Sequence, residues 1–311
     1  MKKQRLVRKA VIPVAGQGKR MGPLCRAIPK AAFPLADRRG RALPLIHHVC
    51  MAASEAGIDE VALIVAPRDV DLFHRYFAAA VEEYSAELPV NIDFLTQASP
   101  RGLGDAVMQA ENFIAGQPFL LLLGDHLLLP APHARPPAAQ VADAHEARPG
   151  AAMIGMQVVA ADRLATVGAA RGDPLEVVRE KPLDGPVYLC REIVEKPDPV
   201  AARQRLVTPG LGADKYLAHG GVYLFGAEIF DCIRELSRAY RRGGEELELT
   251  AAQGILLRRH PEDYYLVRLA AEVIDVGSPD GYAAAQRAIL ADRPPAAGPP
   301  RRGEPELLDP C

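Results

Sequence analysis

The chain has 311 residues, 49% of them hydrophobic, and a formal net charge of −2. That is enough apolar sequence for one large α/β domain or two small ones, and the near-neutral charge argues against a dedicated nucleic-acid or membrane-surface binder. Cys25, Cys50, Cys190, Cys232 and Cys311 are odd in number, scattered and without a C-x-x-C pair, which excludes a disulfide framework or zinc knuckle and leads us to expect reduced thiols in a cytoplasmic protein.

The basic N-terminus runs into a short apolar stretch, 10–14, which reads as the first strand and not as a signal peptide. Ala15-Gly16-Gln17-Gly18-Lys19-Arg20 follows it. Two glycines leave room for backbone N–H groups to approach an anion. Lys19, Arg20 and, after two prolines, Lys30 supply positive charge. The loop is neither of two familiar phosphate motifs. Gly16, Gly18 and Gly22 are spaced one residue too widely for G-x-G-x-x-G, and Pro13 and Arg20 stand where a P-loop needs Gly and Ser or Thr. For the loop alone, an ordinary βα turn remains the alternative.

Residues 37–41 read as a polar turn and 43–56 as a helix stopped by Gly57. His47 and His48 on it are expected at an ordinary helix surface. Strand 61–66 leads to helix 69–83, whose buried stripe is expected to be Val70, Phe73, Phe77 and Val81. Strand 91–95 is followed by a Pro- and Gly-containing loop, Gln97 to Gly104, and then a helix to Phe113. The next buried strand is 118–123, far too short to span a membrane; it ends in Gly124-Asp125-His126.

This alternation predicts a mostly parallel, doubly wound sheet whose ligands bind beyond the carboxyl ends of its strands. Residues 127–137 read as an irregular, mobile, Pro-rich loop. From 151 to 197 short strands (151–159, 165–169, 175–179 and 187–194) suggest an antiparallel extension. Strand 216–225 contains Gly220-Gly221, which marks a bend or a close approach. Helices 227–238 and 248–259 flank a Gly243-Gly244 loop. Strands 264–270 and 272–276, helix 279–291 and a Pro-rich tail, 293–311, expected to be disordered, complete the chain.

Asp125 ends a buried strand, and Asp275 ends another in the form Ile-Asp-Val-Gly. A strand-end Asp is a cap or a divalent-metal ligand. Two such carboxylates with phosphate oxygens suit Mg²⁺, which keeps several waters; the sequence does not show that the two meet. Glu-Lys-Pro occurs twice, at 180–182 and 195–197. Apolar Ile193-Val194 before the second copy selects Lys196 as the one on a buried, rigid strand end, and leaves Lys181 outside the cleft.

These motifs, in this order, resemble those of sugar-nucleotide pyrophosphorylases. The Gly16–Arg20 loop with Ala27-Ile28-Pro29-Lys30, then Gln97 and Gly102, Gly124-Asp125, Val194-Glu195-Lys196-Pro197, Gly221 before Val222-Tyr223, Leu249-Thr250 and Asp275-Val276-Gly277 are most similar to bacterial UTP–glucose-1-phosphate uridylyltransferases. The resemblance covers about 8–290. It implies one Rossmann-like nucleotidyltransferase domain, 1–292, with a nucleotide-binding half at 8–126 and a sugar-phosphate-binding half at 151–292. It also implies transfer of a nucleotidyl group from a triphosphate, UTP first, to a sugar 1-phosphate, glucose 1-phosphate first. Ala15, Gly16, Gly18, Gln97 and Gly102 would bind nucleotide, Arg20 and Lys30 the triphosphate, and Glu195, Lys196 and Gly221 the sugar phosphate. Asp125 and Asp275 would hold Mg²⁺, and the assembly would be a homo-oligomer, dimer or tetramer. Lys19, Cys25, Arg26, Ala31 and His126 depart from the family pattern. Two alternatives stay open: dTTP or another sugar 1-phosphate as substrate, or a weakly active regulatory homologue that binds nucleotide sugar.

Overall fold

Short runs of Val, Ile, Leu and Ala form the middle of the molecule, since strands covered on both faces need apolar side chains in both directions. The computed structural model describes residues 6–175, 183–239 and 246–291. Its strands are β1 (Lys9–Pro13), β2 (Pro34–Ala36), β3 (Ala42–Pro44), β4 (Glu60–Val65), β5 (Asn91–Thr96), β6 (Phe119–Leu122), β7 (His126–Pro130), β8 (Ala152–Ala160), β9 (Gly168–Pro174), β10 (Val187–Glu195), β11 (Lys215–Phe225), β12 (Tyr264–Arg268) and β13 (Ala271–Asp275). One large sheet has the order β5-β4-β1-β6-β11-β8-β12-β10-β9.

Parallel pairing joins β5, β4, β1 and β6, and again β8 with β12. β11 runs antiparallel to β6 and β8, and β10 to β12 and β9. The expected mixed α/β sheet is present, with a larger antiparallel share than the strand–helix alternation suggests. The reason is topological: β11, late in the chain, inserts between β6 and β8. It ties the two halves of the sequence into one continuous sheet.

Along β1, Ala10 and Ile12 face one apolar layer and Val11 the other. Helices Leu45–Glu55, Val70–Tyr84, Pro137–Glu146 and Pro279–Ala291 close the first layer; Leu103–Met108, Glu228–Ala239 and Leu249–Arg259 close the second. On helix Val70–Tyr84 the buried stripe is Phe73, Phe77 and Ala80, while Val81 is 44% exposed, against expectation. Ala80, one residue earlier, takes the buried place instead.

The stretch read as an irregular loop is so only at 131–136; its two ends belong to a strand and a helix. Leu127–Leu129 belong to β7, which pairs antiparallel with β13, and a helix begins at Pro137. Proline is tolerated there because the first helical N–H needs no partner. The expected strand at 165–169 begins only at Gly168, after a 3₁₀ turn, Ala161–Thr166. Strand 175–179 beyond Leu175, the first Glu-Lys-Pro copy with Lys181, the Gly243-Gly244 loop and the 293–311 tail lie outside the described residues. The four described cysteines are free and buried, and no helix among the described residues is long and apolar enough to cross a membrane.

His47 corrects another expectation: it is fully buried, not at the helix surface. Tyr76 and Tyr84 cover it, and the Tyr76 hydroxyl lies 2.8 Å from its Nδ1. Burial lowers its pKa to about 4, as it does for His219 on β11. The unfolded chain takes up these protons near pH 6.5; the native state resists until about pH 4. Stability from this source is therefore complete above pH 6.5 and is lost as pH falls from 6.5 toward 4. The melting temperature is expected to drop across that window. A constant melting temperature from pH 7 to 4.5 would contradict it.

Candidate active site

The carboxyl ends of β1 and β6 meet at the floor of a cleft of about 610 Å³. Most residues selected from the sequence converge on it: Ala15, Gly16, Gly18, Arg20, Lys30, Gln97, Gly102, Asp125, Glu195, Lys196 and Asp275 all line it. Gly18 turns with φ 60°, and a Cβ there would lie 2.6 Å from the Cys25 sulfur. The turn therefore requires glycine, and it directs the following Lys19–Met21 turn toward the cleft. Gly16 has open space at its α-carbon, so its backbone is free to meet a ligand.

Asp275 reaches Asp125 through the β7–β13 ribbon. Its register places Asp275 opposite His126, and the Val276 amide donates to the Asp125 carbonyl at 2.8 Å. Ligand atoms of Asp125, His126 and Asp275 lie within 4.8 Å of one another. Lys30 Nζ donates to Asp125 Oδ2, and His126 Nδ1 lies 2.9 Å from Oδ1. Burial pushes the Asp125 carboxyl up, but the Lys30 and His126 interactions outweigh it and hold the group well below the usual carboxylate range. Arg20 Nη2 donates to Asp275 at 3.0 Å, and the Gly277 amide holds the other Asp275 oxygen at 2.7 Å.

This donor set fits a hard divalent cation. Two carboxylates converge from different strands, and the open cleft leaves other positions for water or phosphate oxygens, the pattern Mg²⁺ favours. His126 was not singled out as a site residue in the sequence. The motif position after Gly-Asp was the available signal; its ring now stands as a third polar group of the cluster.

On the facing wall, β10 ends at Glu195-Lys196. Thr250 Oγ1 donates to Glu195 Oε2 at 2.7 Å, and Lys196 Nζ lies 3.4 Å from Oε1. Lys196 adopts φ 43°, a left-handed backbone unusual for a non-glycine residue. Its amide donates to the Val167 carbonyl at 3.2 Å, which anchors this turn. The strand end is less buried than its apolar sequence suggests: Ile193, Val194 and Glu195 are half-buried, and about half of the Lys196 side chain is exposed, because β10 lies near the edge of the sheet. His219 and Tyr223 complete this end. Burial keeps the His219 ring neutral near pH 7. Burial, with the Glu195 and Asp125 charges, pushes the Tyr223 phenol up.

Gly221 does not line the cleft. It adopts φ 74° where the β11–β8 register breaks between His219 and Tyr223, and a Cβ there would lie 2.9 Å from the His126 ring. The close approach at this glycine is made by the His126 ring. Thr250, His219 and Tyr223 were not assigned roles in the sequence. Thr250 stands inside the Leu-Thr pair and Tyr223 inside the motif that follows Gly221; His219 carries no local signal.

The sequence profile of the nucleotidyl transferase family matches residues 9–292. The chain is 28% identical over 271 residues to the UTP–glucose-1-phosphate uridylyltransferase YngB of Bacillus subtilis, covering 82% of this chain and 80% of that protein. It is 30% identical over 262 residues to UTP–glucose-1-phosphate uridylyltransferase 2 of Streptococcus pyogenes, covering 79% and 78%. A crystal structure of UDP-glucose pyrophosphorylase complexed with UDP-glucose superposes with a TM-score of 0.72 at 23% identity, over 92% of this chain and 100% of that one. A UTP-bound enzyme from Acinetobacter baumannii gives 0.70 at 23% identity, over 93% and 95%. These two likenesses establish the fold.

Proposed function

The chain belongs to the nucleotidyl transferase family, and from that premise we propose that it transfers the uridylyl group of UTP to glucose 1-phosphate. The observation that carries the reading is the meeting of Asp125 and Asp275 with Lys30 and Arg20 on one side of a single cleft and Glu195-Lys196 on the other. Two phosphate-bearing substrates can thus face each other across a pair of carboxylates. The relatives named above act on UTP and glucose 1-phosphate, which favours these substrates.

An oxygen of the sugar phosphate attacks the α-phosphorus. A new P–O bond forms, the bond to the β-phosphate bridging oxygen breaks, and pyrophosphate leaves. The attacking phosphate is already largely ionised near neutrality, its second pKa being about 6, so no protein base has to remove a proton. Catalysis is then alignment and charge neutralisation. The Gly16–Gly18 amides and Arg20 hold the departing phosphates, and Lys30 neutralises the triphosphate beside Asp125. Ala15–Gly16 backbone and Gln97 face the base. Lys196 holds the sugar phosphate, and Glu195, oriented by Thr250, accepts from sugar hydroxyls.

Asp125 and Asp275 would hold Mg²⁺, which when bound screens phosphate charge at the reacting centre. Gly221 acts through His126. In this reading residues 8–126 serve the nucleotide and 151–292 the sugar phosphate within one domain, 1–292. Homo-oligomeric assembly belongs to the same reading and rests on resemblance.

A pyrophosphate-release assay over a panel of triphosphates and sugar 1-phosphates, with and without Mg²⁺, tests the proposal. The highest rate is expected with UTP and glucose 1-phosphate plus Mg²⁺. A clear preference for dTTP or another sugar phosphate would move the substrate assignment. No release with any pair would overturn the enzymatic reading.

A further inference from the structure

Gln97 is only 5% exposed, yet it lines the cleft. Its amide nitrogen donates to Asp105 Oδ2 at 2.8 Å and to the Gly102 carbonyl at 3.1 Å. Both partners are acceptors: a carboxylate oxygen and a backbone carbonyl. The amide is therefore locked with its NH₂ inward, because the flipped group would set oxygen against oxygen. Among the described residues, the hydrogen bonds of this side chain run only through Nε2. Oε1 remains to meet a ligand, as an acceptor.

The lock is itself held. Asp105 is 3% exposed on helix Leu103–Met108, and its other carboxylate oxygen accepts from Arg101 Nη2 at 2.5 Å. The Gly102 carbonyl is set by the neighbouring strand-like contact, in which Leu247 donates to the Arg101 carbonyl and accepts from the Gly104 amide, each at 2.7 Å. A Cβ on Gly102 would lie 2.8 Å from the Leu247 backbone, so the approach requires glycine.

We propose that Asp105 is a positioning residue for base selection: by holding the Gln97 amide nitrogen inward, it leaves an acceptor toward the base and selects pyrimidines that present an N3–H donor. This rests on the reading that Gln97 faces the base. Uracil and thymine carry an N3–H. Cytosine carries an unprotonated N3, which would face Oε1 acceptor to acceptor. Replacing Asp105 by Asn places an NH₂ where Oδ2 stood, since Arg101 favours keeping an acceptor at Oδ1. That NH₂ favours Gln97 Oε1 inward while the Gly102 carbonyl still favours Nε2, so the amide is no longer locked and the cleft-facing group is a donor in part of the molecules.

Dissociation constants of UTP and CTP, measured by calorimetry with Mg²⁺ and no sugar phosphate, test this. The wild-type protein is expected to prefer UTP by at least about tenfold, the scale of one well-placed base contact. Asp105→Asn is expected to reduce that ratio several-fold by weakening UTP and strengthening CTP. An unchanged ratio, with both ligands weakened together, would mean a structural role only and would overturn the proposal. Gln97→Ala separates the premise: if it leaves the wild-type preference intact, Gln97 does not read the base and the underlying reading fails as well. If it abolishes the preference while Asp105→Asn does not change it, the Asp105 inference alone fails. Should Asp105→Asn not fold, N3-methyl-UTP on the wild-type protein serves instead. It is expected to bind at least about tenfold more weakly than UTP, and equal binding would overturn the acceptor assignment.

Discussion

Asp125→Asn is expected to cut kcat by more than about a hundredfold, since metal-assisted charge stabilisation is worth several kcal/mol. The substitution keeps the size of the side chain and removes the charge. It acts on three contacts at once: the ion pair with Lys30, the bond with His126 and the approach to Asp275. Loss of activity could therefore come through Lys30 alone. Mn²⁺ binding, followed by electron paramagnetic resonance with the substrates absent, separates the two. Both the rate and the Mn²⁺ affinity are expected to fall. Near-normal turnover with unchanged Mg²⁺ dependence would remove Asp125 from the metal site.

Lys196→Ala is expected to raise the KM for glucose 1-phosphate by roughly ten- to a hundredfold, the scale of a charge-assisted hydrogen bond. The KM for UTP should change by less than about threefold, because the Gly16–Arg20 loop and Lys30 lie on the other side of the cleft. Both lysine and alanine carry a Cβ, so the left-handed backbone at this position is equally strained in the two proteins. Any difference then reports the ammonium group. Lys181→Ala, in the other Glu-Lys-Pro copy, is the control and should leave both constants unchanged. If the two variants exchange phenotypes, the sugar-phosphate wall has been assigned to the wrong copy, and Glu195 falls with Lys196.

What could be read in the sequence was local. The Gly16–Arg20 loop, the strand-end Asp125 and the Glu195-Lys196 pair after apolar Ile193-Val194 each carry their signal within a few residues, and all three lie on the cleft. The antiparallel half was legible from short strands without intervening long helices. The meeting of Asp125 with Asp275 was not, because it depends on β7 pairing with β13, whose partners are far apart in the chain. Prolines at 130, 132, 136 and 137 obscured that ribbon, since all resemble loop punctuation, although Pro130 ends a strand and Pro137 starts a helix. His47 misled for a related reason. Helical spacing says which residues share a face, but the tyrosines that cover His47 come from another helix. Gly221 showed that a special backbone was needed, though only the fold reveals that the His126 ring occupies the space.

Following both ends of the triphosphate distinguishes attack by the sugar phosphate on the α-phosphorus from every other transfer. UTP labelled at the α-phosphorus, or separately at the γ-phosphorus, is incubated with glucose 1-phosphate and Mg²⁺. α-Label is expected in a nucleotide sugar and γ-label in pyrophosphate, in equal amounts. α-Label recovered as free UMP, or γ-label transferred to the sugar phosphate, would contradict attack by the sugar phosphate on the α-phosphorus.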